Sequence, residues 1–166
     1  ALLTDMPPYQ GGGEMIQAVS LTHTTYNELP YKFEAGTPHI AGIIAWKEAL
    51  DFIQKIGHEK LWLHESKLLS YALDLLNSLR GVRLVGTASE RVGIISFTIE
   101  GLHHLDAGLW LDAEGIAVRT GHSCTQPLID FLGIEGVVRA SLAVYNTKEE
   151  IEQLGRAVEK IIQRKT

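Results

Sequence analysis

Cysteine is almost missing from this sequence: Cys124 is the only one among 166 residues. An internal disulfide is therefore excluded, and a reducing cytosol is the compartment that fits. No apolar run reaches the roughly 18 residues that a membrane-spanning helix needs, so no span is expected. No cluster of lysine and arginine stands out, and the formal net charge is -5. That argues against nucleic acid as the main partner. The opening ALLTDMPPYQ has neither the basic region nor the long apolar segment of a secretory leader, so none is expected. It also lacks an initiator Met, and Ala1-Leu2-Leu3 reads like the end of an element. The expectation is a piece of a longer chain. Internal repeats and low-complexity segments are absent too.

What is present suits one domain with a real core. Apolar residues make up 45% and charged residues 21%, the balance of a soluble globular protein. Residues 4–38 are loop-rich, with Pro7-Pro8 and Gly11-Gly12-Gly13, and short extended pieces are expected around 15–21. From Pro38 to Ile56 the apolar residues recur at helical spacing, with Pro38 in the first turn and Gly57 at the end. A second helix is predicted over 58–79, its buried stripe running from Leu61 to Leu79. VRLVGT and RVGIISFTI then read as strands. A helix over 103–113, a short strand over 116–119, a helix near 127–132 capped by Gly133, and a strand VVRASLAV follow. Thr147 and Glu150 have the spacing of a capping box for a last helix. Helices covering one side of a small sheet give an α/β architecture. Trp46, Trp62 and Trp110 fall in helices and read as core or groove packing.

Several positions carry candidate chemistry. Cys124 lies in the polar loop VRTGHSCTQPL, where Arg119, His122 and the free N–H groups of a helix start favour an anion. A loop cysteine with no role is the plain alternative. Arg139 sits mid-strand between apolar residues, so it either faces solvent or holds a carboxylate in its planar fork. The triple glycine reads as a flexible turn or as an anion contact. Thr37, in EAGTP, reads as a helix N-cap or as a phosphate contact. HHLD at 103–106 hints at metal, but neighbouring helical residues diverge and no second His or Cys lies at ligand spacing. It reads as a solvated helix start.

Taken together and in order, PPYQGGGEMI, YKFEAGTP, GIAVRTGHSCTQPL and VVRASLAVYNTKEEI resemble the C-terminal part of a group II cysteine desulfurase, the SUF-type, NifS-like enzymes. The resemblance covers essentially the whole chain, and its last two motifs are the most specific. It implies the C-terminal portion of the aminotransferase fold (fold-type I, pyridoxal phosphate). Residues 1–45 would be a loop-rich remnant of the large cofactor domain and 46–166 the small domain. It implies that L-cysteine gives up its sulfur, leaving L-alanine and a persulfide on Cys124, for iron–sulfur cluster assembly in the cytoplasm. By the same resemblance Arg139 holds the substrate carboxylate and Arg119 is a second active-site arginine. Thr37 would reach the cofactor phosphate of the neighbouring subunit in a homodimer, and a sulfur-acceptor protein would collect the sulfur. Two departures stand out. Ser123 occupies the place of a frequent second histidine. The family's cofactor lysine follows a histidine, and none of the eight lysines here does. The expectation is that this chain alone is inactive. A selenocysteine lyase of the same fold, a non-catalytic domain docking a sulfur acceptor, and a redox-sensing thiol protein are the alternatives.

Overall fold

A computed structural model describes residues 1–165, and these divide into two compact units, Ala1–Lys55 and a second that starts at Ile56. In the first unit a single helical turn α1 (Leu2–Asp5) precedes a two-stranded antiparallel sheet, β1 (Ile16–Val19) and β2 (Thr24–Tyr26). Met15 is the one buried large side chain there among the described residues. A 3-10 turn over Tyr31–Phe33 leads to helix α2 (Ile40–Ile56). The helical period in the sequence predicts α2 closely, but none of its residues is buried. Trp46 is 64% exposed, so it is not a core residue. The boundary between the compact units falls between Lys55 and Ile56, at the last turn of α2.

The second unit is a four-stranded antiparallel sheet with helices on one face. It contains α3 (His58–Ser78), β3 (Val82–Val85), β4 (Ile94–Ile99), α4 (His104–Ala113), β5 (Arg119–Gly121), α5 (Gln126–Phe131), β6 (Val137–Ser141) and α6 (Lys148–Lys165). The strand order is β3-β4-β6-β5. Alternation along the strands separates the two faces. Ile95, Phe97 and Ile99 of β4, with Val138 and Ala140 of β6, point into the helical layer. There they meet Leu68, Ala72 and Leu76 of α3, Leu111 of α4, and Ile151, Leu154, Val158 and Ile161 of α6. Each large side chain removed from water here contributes roughly 1.5–3 kcal/mol. Phe97 is fully buried and sits on the sheet's central strands.

The capping box at the start of α6 is formed. Thr147 N–H donates to Glu150 Oε2 at 2.9 Å, and Glu150 N–H donates to Thr147 Oγ1 at 3.4 Å. Asn146 Nδ2 adds a third bond to the Glu150 carboxylate at 3.0 Å. These bonds hold the Glu150 carboxyl below its ordinary value of 4.5, the Asn146 side chain contributing most. One expectation needs correction. The strand expected at 116–119 is Arg119–Gly121 instead, because pairing with β6 begins only at Arg119. Trp110 packs against the core, whereas Trp62, 69% exposed, lines a groove between α3 and residues 87–92. Among the described residues, no helix is long and apolar enough to cross a membrane.

Candidate active site

The face of the sheet away from the helices carries the candidate chemistry. In the β5–β6 ladder Arg119 pairs directly with Arg139, and in the β4–β6 ladder Arg139 pairs with Ser96. The register therefore lines up Ser96, Arg139 and Arg119 across three strands on one face. Like charges directly opposite in a sheet are unfavourable. Among the described residues neither arginine forms an ion pair within 4 Å. Arg139 is half-buried, and its Nε is buried with no hydrogen-bond partner. A pair of guanidinium forks that repel each other and lack an internal carboxylate is suited to an external anion.

Cys124 joins this pair through the loop that follows β5. The loop bends sharply: Gly121 has φ 107°, Ser123 φ 50° and Cys124 φ 62°. Positive φ is costly for residues with a Cβ, so two of them in succession mark a constrained turn. Thr125 closes it, donating from N–H (2.9 Å) and from Oγ1 (2.7 Å) to the His122 carbonyl. His122 Nε2–H donates to the Glu135 carbonyl at 3.1 Å, tying the loop to the segment before β6. The turn leaves the Cys124 side chain exposed, with its Sγ 4.0 Å from Arg119 Nη2. Arg119 thus faces both the sulfur and Arg139. Ser123 Oγ is buried and unpartnered beside them. Pro127 enters the first turn of α5, and the Gly133 N–H bonds to the Asp130 carbonyl just past its end.

Thr37 lies in the first unit, exposed, between Gly36 and Pro38 just before α2. Gly36 N–H donates to the Gly13 carbonyl at 2.9 Å, so the triple-glycine loop and the EAGTP loop are bonded to each other. No capping bond from the Thr37 hydroxyl is formed among the described residues.

Sequence reasoning passed over two residues. Ser96 gave no signal, because its place opposite Arg139 is a matter of register. The HHLD pattern places His104 in a solvated helix start. It is half-buried instead, and its Nδ1 is buried without a partner. Burial pushes His104 below the ordinary histidine value of 6.5, and the neighbouring His103 and His122 rings push the same way. His103 keeps the capping role of a helix start, accepting at Nδ1 from Leu105 N–H at 3.3 Å. Among the described residues no cluster of His, Cys, Asp or Glu could hold a metal ion.

The family model described as aminotransferase class-V matches residues 1–154. A probable cysteine desulfurase of Xylella fastidiosa is 46% identical over 94% of this chain, and the match spans 38% of that protein. Probable cysteine desulfurase 1 of Mycobacterium leprae is 48% identical over 96% of this chain and 26% of its own length. The chain thus spans well under half the length of these relatives. Among solved structures, the cysteine desulfurase CsdA of Escherichia coli superposes with a TM-score of 0.86 at 34% identity, covering 96% of this chain and 39% of that one. An apo cysteine desulfurase from Thermococcus onnurineus NA1 gives 0.86 at 37% identity, covering 95% and 40%.

Proposed function

The chain belongs to the aminotransferase class V family, and from that premise we propose that it is the C-terminal part of a cysteine desulfurase acting on L-cysteine. One observation carries the reading: Arg119 and Arg139 stand opposite each other without a carboxylate partner, and the Cys124 sulfur lies 4.0 Å from Arg119. Residues 1–45 derive on this reading from the large cofactor domain and 46–166 form the small domain.

The family implies pyridoxal phosphate, and the residues present fit one side of such a site. Arg139 Nε and Ser123 Oγ are buried donors that lack partners, and the paired forks offer donors only. Arg139 and Arg119 would hold the carboxylate of the amino acid presented by the cofactor. Thr37 would hold the cofactor phosphate of the neighbouring subunit in a homodimer. When bound, the cofactor supplies the electron sink that makes the substrate C–S bond breakable.

The chain's own residues then do three things. Arg139 and Arg119 fix the substrate by its carboxylate, which orients its sulfur toward the Cys124 loop. The Cys124 thiolate attacks that sulfur: an S–S bond forms as the substrate C–S bond breaks, its electron pair leaves toward carbon, and protonation there completes L-alanine. The exposed turn then presents the resulting persulfide to a thiol of an acceptor protein, from which the sulfur enters iron–sulfur cluster assembly in the cytoplasm. An exposed sulfur on a bonded turn meets both demands, reach and access. The cofactor lysine is expected upstream of these residues, so this chain alone is expected to be inactive.

The test is alanine formation from L-cysteine by the full-length protein. Arg139→Met is expected to lower kcat/KM by at least about a hundredfold, the loss of a charged two-point clamp. Cys124→Ala is expected to abolish sulfur transfer while cofactor absorbance remains. Unchanged kcat/KM in the first variant, or unchanged sulfur transfer in the second, rejects the assignment.

A further inference from the structure

We propose that His104 is a positioning residue for the Cys124 loop, its ring packed between Gly121 and Gly136 and holding the loop in place through His122. The proposal deepens the functional reading, since it rests on Cys124 as the sulfur acceptor.

Three observations on different elements converge on this ring. First, Gly136, the residue just before β6, lies against it: a Cβ there would lie 2.3 Å from His104 Cδ2 and 2.6 Å from Nε2. A Cβ on Gly121, at the end of β5, would lie 3.9 Å from His104 Cε1. The ring is therefore wedged between the two strand ends that frame the loop. Second, the His122 ring lies edge-on to His104 with centroids 6.4 Å apart, and His122 is the residue that ties the loop to the Glu135 carbonyl. Third, His104 Nδ1 is buried without an acceptor. A proton added there would create a buried N–H with nothing to receive it, which is costly. Such a charge would also face two other imidazoles.

The groups that face His104 are His103 and Asp106 on its own helix, His122 on the loop and Glu135 before β6. The His103 ring is 4.2 Å away, and its Nε2 lies 3.9 Å from Glu135 Oε2. The two carboxylates favour the charged ring, but burial and the two imidazoles outweigh them. A cleft of about 270 Å³ lined by His103, His104 and Glu135 gives protons a route from solvent. At neutral pH the ring is an uncharged post. As pH falls below 6.5, protonation competes with the packing that holds His122 and with it the Cys124 turn.

Amide hydrogen exchange over residues 121–125 of the 166-residue chain tests this, with rates corrected for the intrinsic effect of pH. The wild-type loop is expected to exchange faster as pH falls below 6.5. His104→Gln, which cannot titrate, is expected to remove that dependence. His104→Ala is expected to raise loop exchange at pH 7 by at least about tenfold, as deletion of a packed ring does. Gly136→Ala keeps the imidazole but forces it aside, and should do the same. Amides of α6, in the core, serve as the control and should keep their wild-type rates. The proposal is overturned if His104→Ala and Gly136→Ala leave the loop at wild-type rates, if the pH step survives in His104→Gln, or if α6 accelerates equally with the loop. Because exchange is read without turnover, a failure here is distinct from a failure of Cys124→Ala to abolish sulfur transfer.

Discussion

Replacing Arg139 by Met separates a binding arginine from a structural one. Met keeps an apolar stem of similar length, so most of the half-buried packing survives. What disappears is one of two guanidinium charges set directly opposite each other across β5 and β6. Arg119 is exposed, so water screens the repulsion and the high-dielectric limit applies: about 1 kcal/mol or less for charges a few ångströms apart. Cross-strand pair energies of about 0.2–1 kcal/mol agree with that. Arg139 Nε has no hydrogen-bond partner to lose. The variant is therefore expected to be as stable as the wild type, or more stable by up to about 1 kcal/mol, in urea titrations at low salt. Raising the salt should shrink the difference. In the same titrations a small carboxylate ligand should stabilise the wild type and not the variant, by the linkage of binding to folding. A loss of more than about 1 kcal/mol, beyond what the repulsion and stem allow, would refute the reasoning, for it would mean that Arg139 holds the sheet together.

Other outcomes follow from the core and the caps. Phe97→Ala, at a fully buried position, is expected to cost about 3–5 kcal/mol in chemical denaturation. Thr147→Ala removes one side of the α6 capping box and should cost about 1 kcal/mol. The Glu150 carboxyl titrates below its ordinary value of 4.5 in the folded chain. Its contribution is therefore fully present above pH 4.5 and is lost as pH falls through the folded-state value. Glu150→Gln should flatten that part of the acid denaturation curve, and an unchanged curve would exclude the box as its source. Mixing the 166-residue chain with pyridoxal phosphate should give no stable stoichiometric absorbance band, and a stable yellow complex would contradict the expected lack of a cofactor lysine.

Much of the fold could be read from periodicity. The helical stripes predict α2 and α3 to within a residue or two, because burial against one face imposes that spacing. The capping box was equally legible, since its bonds join residues three apart. What the apolar pattern could not show was partnership. The stripe of α2 looks like a core stripe although none of its residues is buried. Residues 116–118 are apolar enough for a strand, yet the ladder with β6 starts at Arg119. The site divides in the same way. Cys124 stood out as a lone thiol in a glycine-bearing loop, and Arg139 as a charge inside an apolar strand. That Arg119 faces Arg139, and Ser96 lies on the other side, depends on the register of three strands. His104 was hidden for a similar reason: its neighbours, Gly121 and Gly136, are distant in sequence and carry no side chain to signal a contact.

Mass analysis of Cys124 in the full-length protein, after brief exposure to L-cysteine without an acceptor thiol, bears most directly on the central claim. One added sulfur atom on the peptide containing Cys124, removable by a reducing thiol and absent from Arg139→Met, is the predicted result. L-Alanine released while that peptide stays unmodified would contradict it.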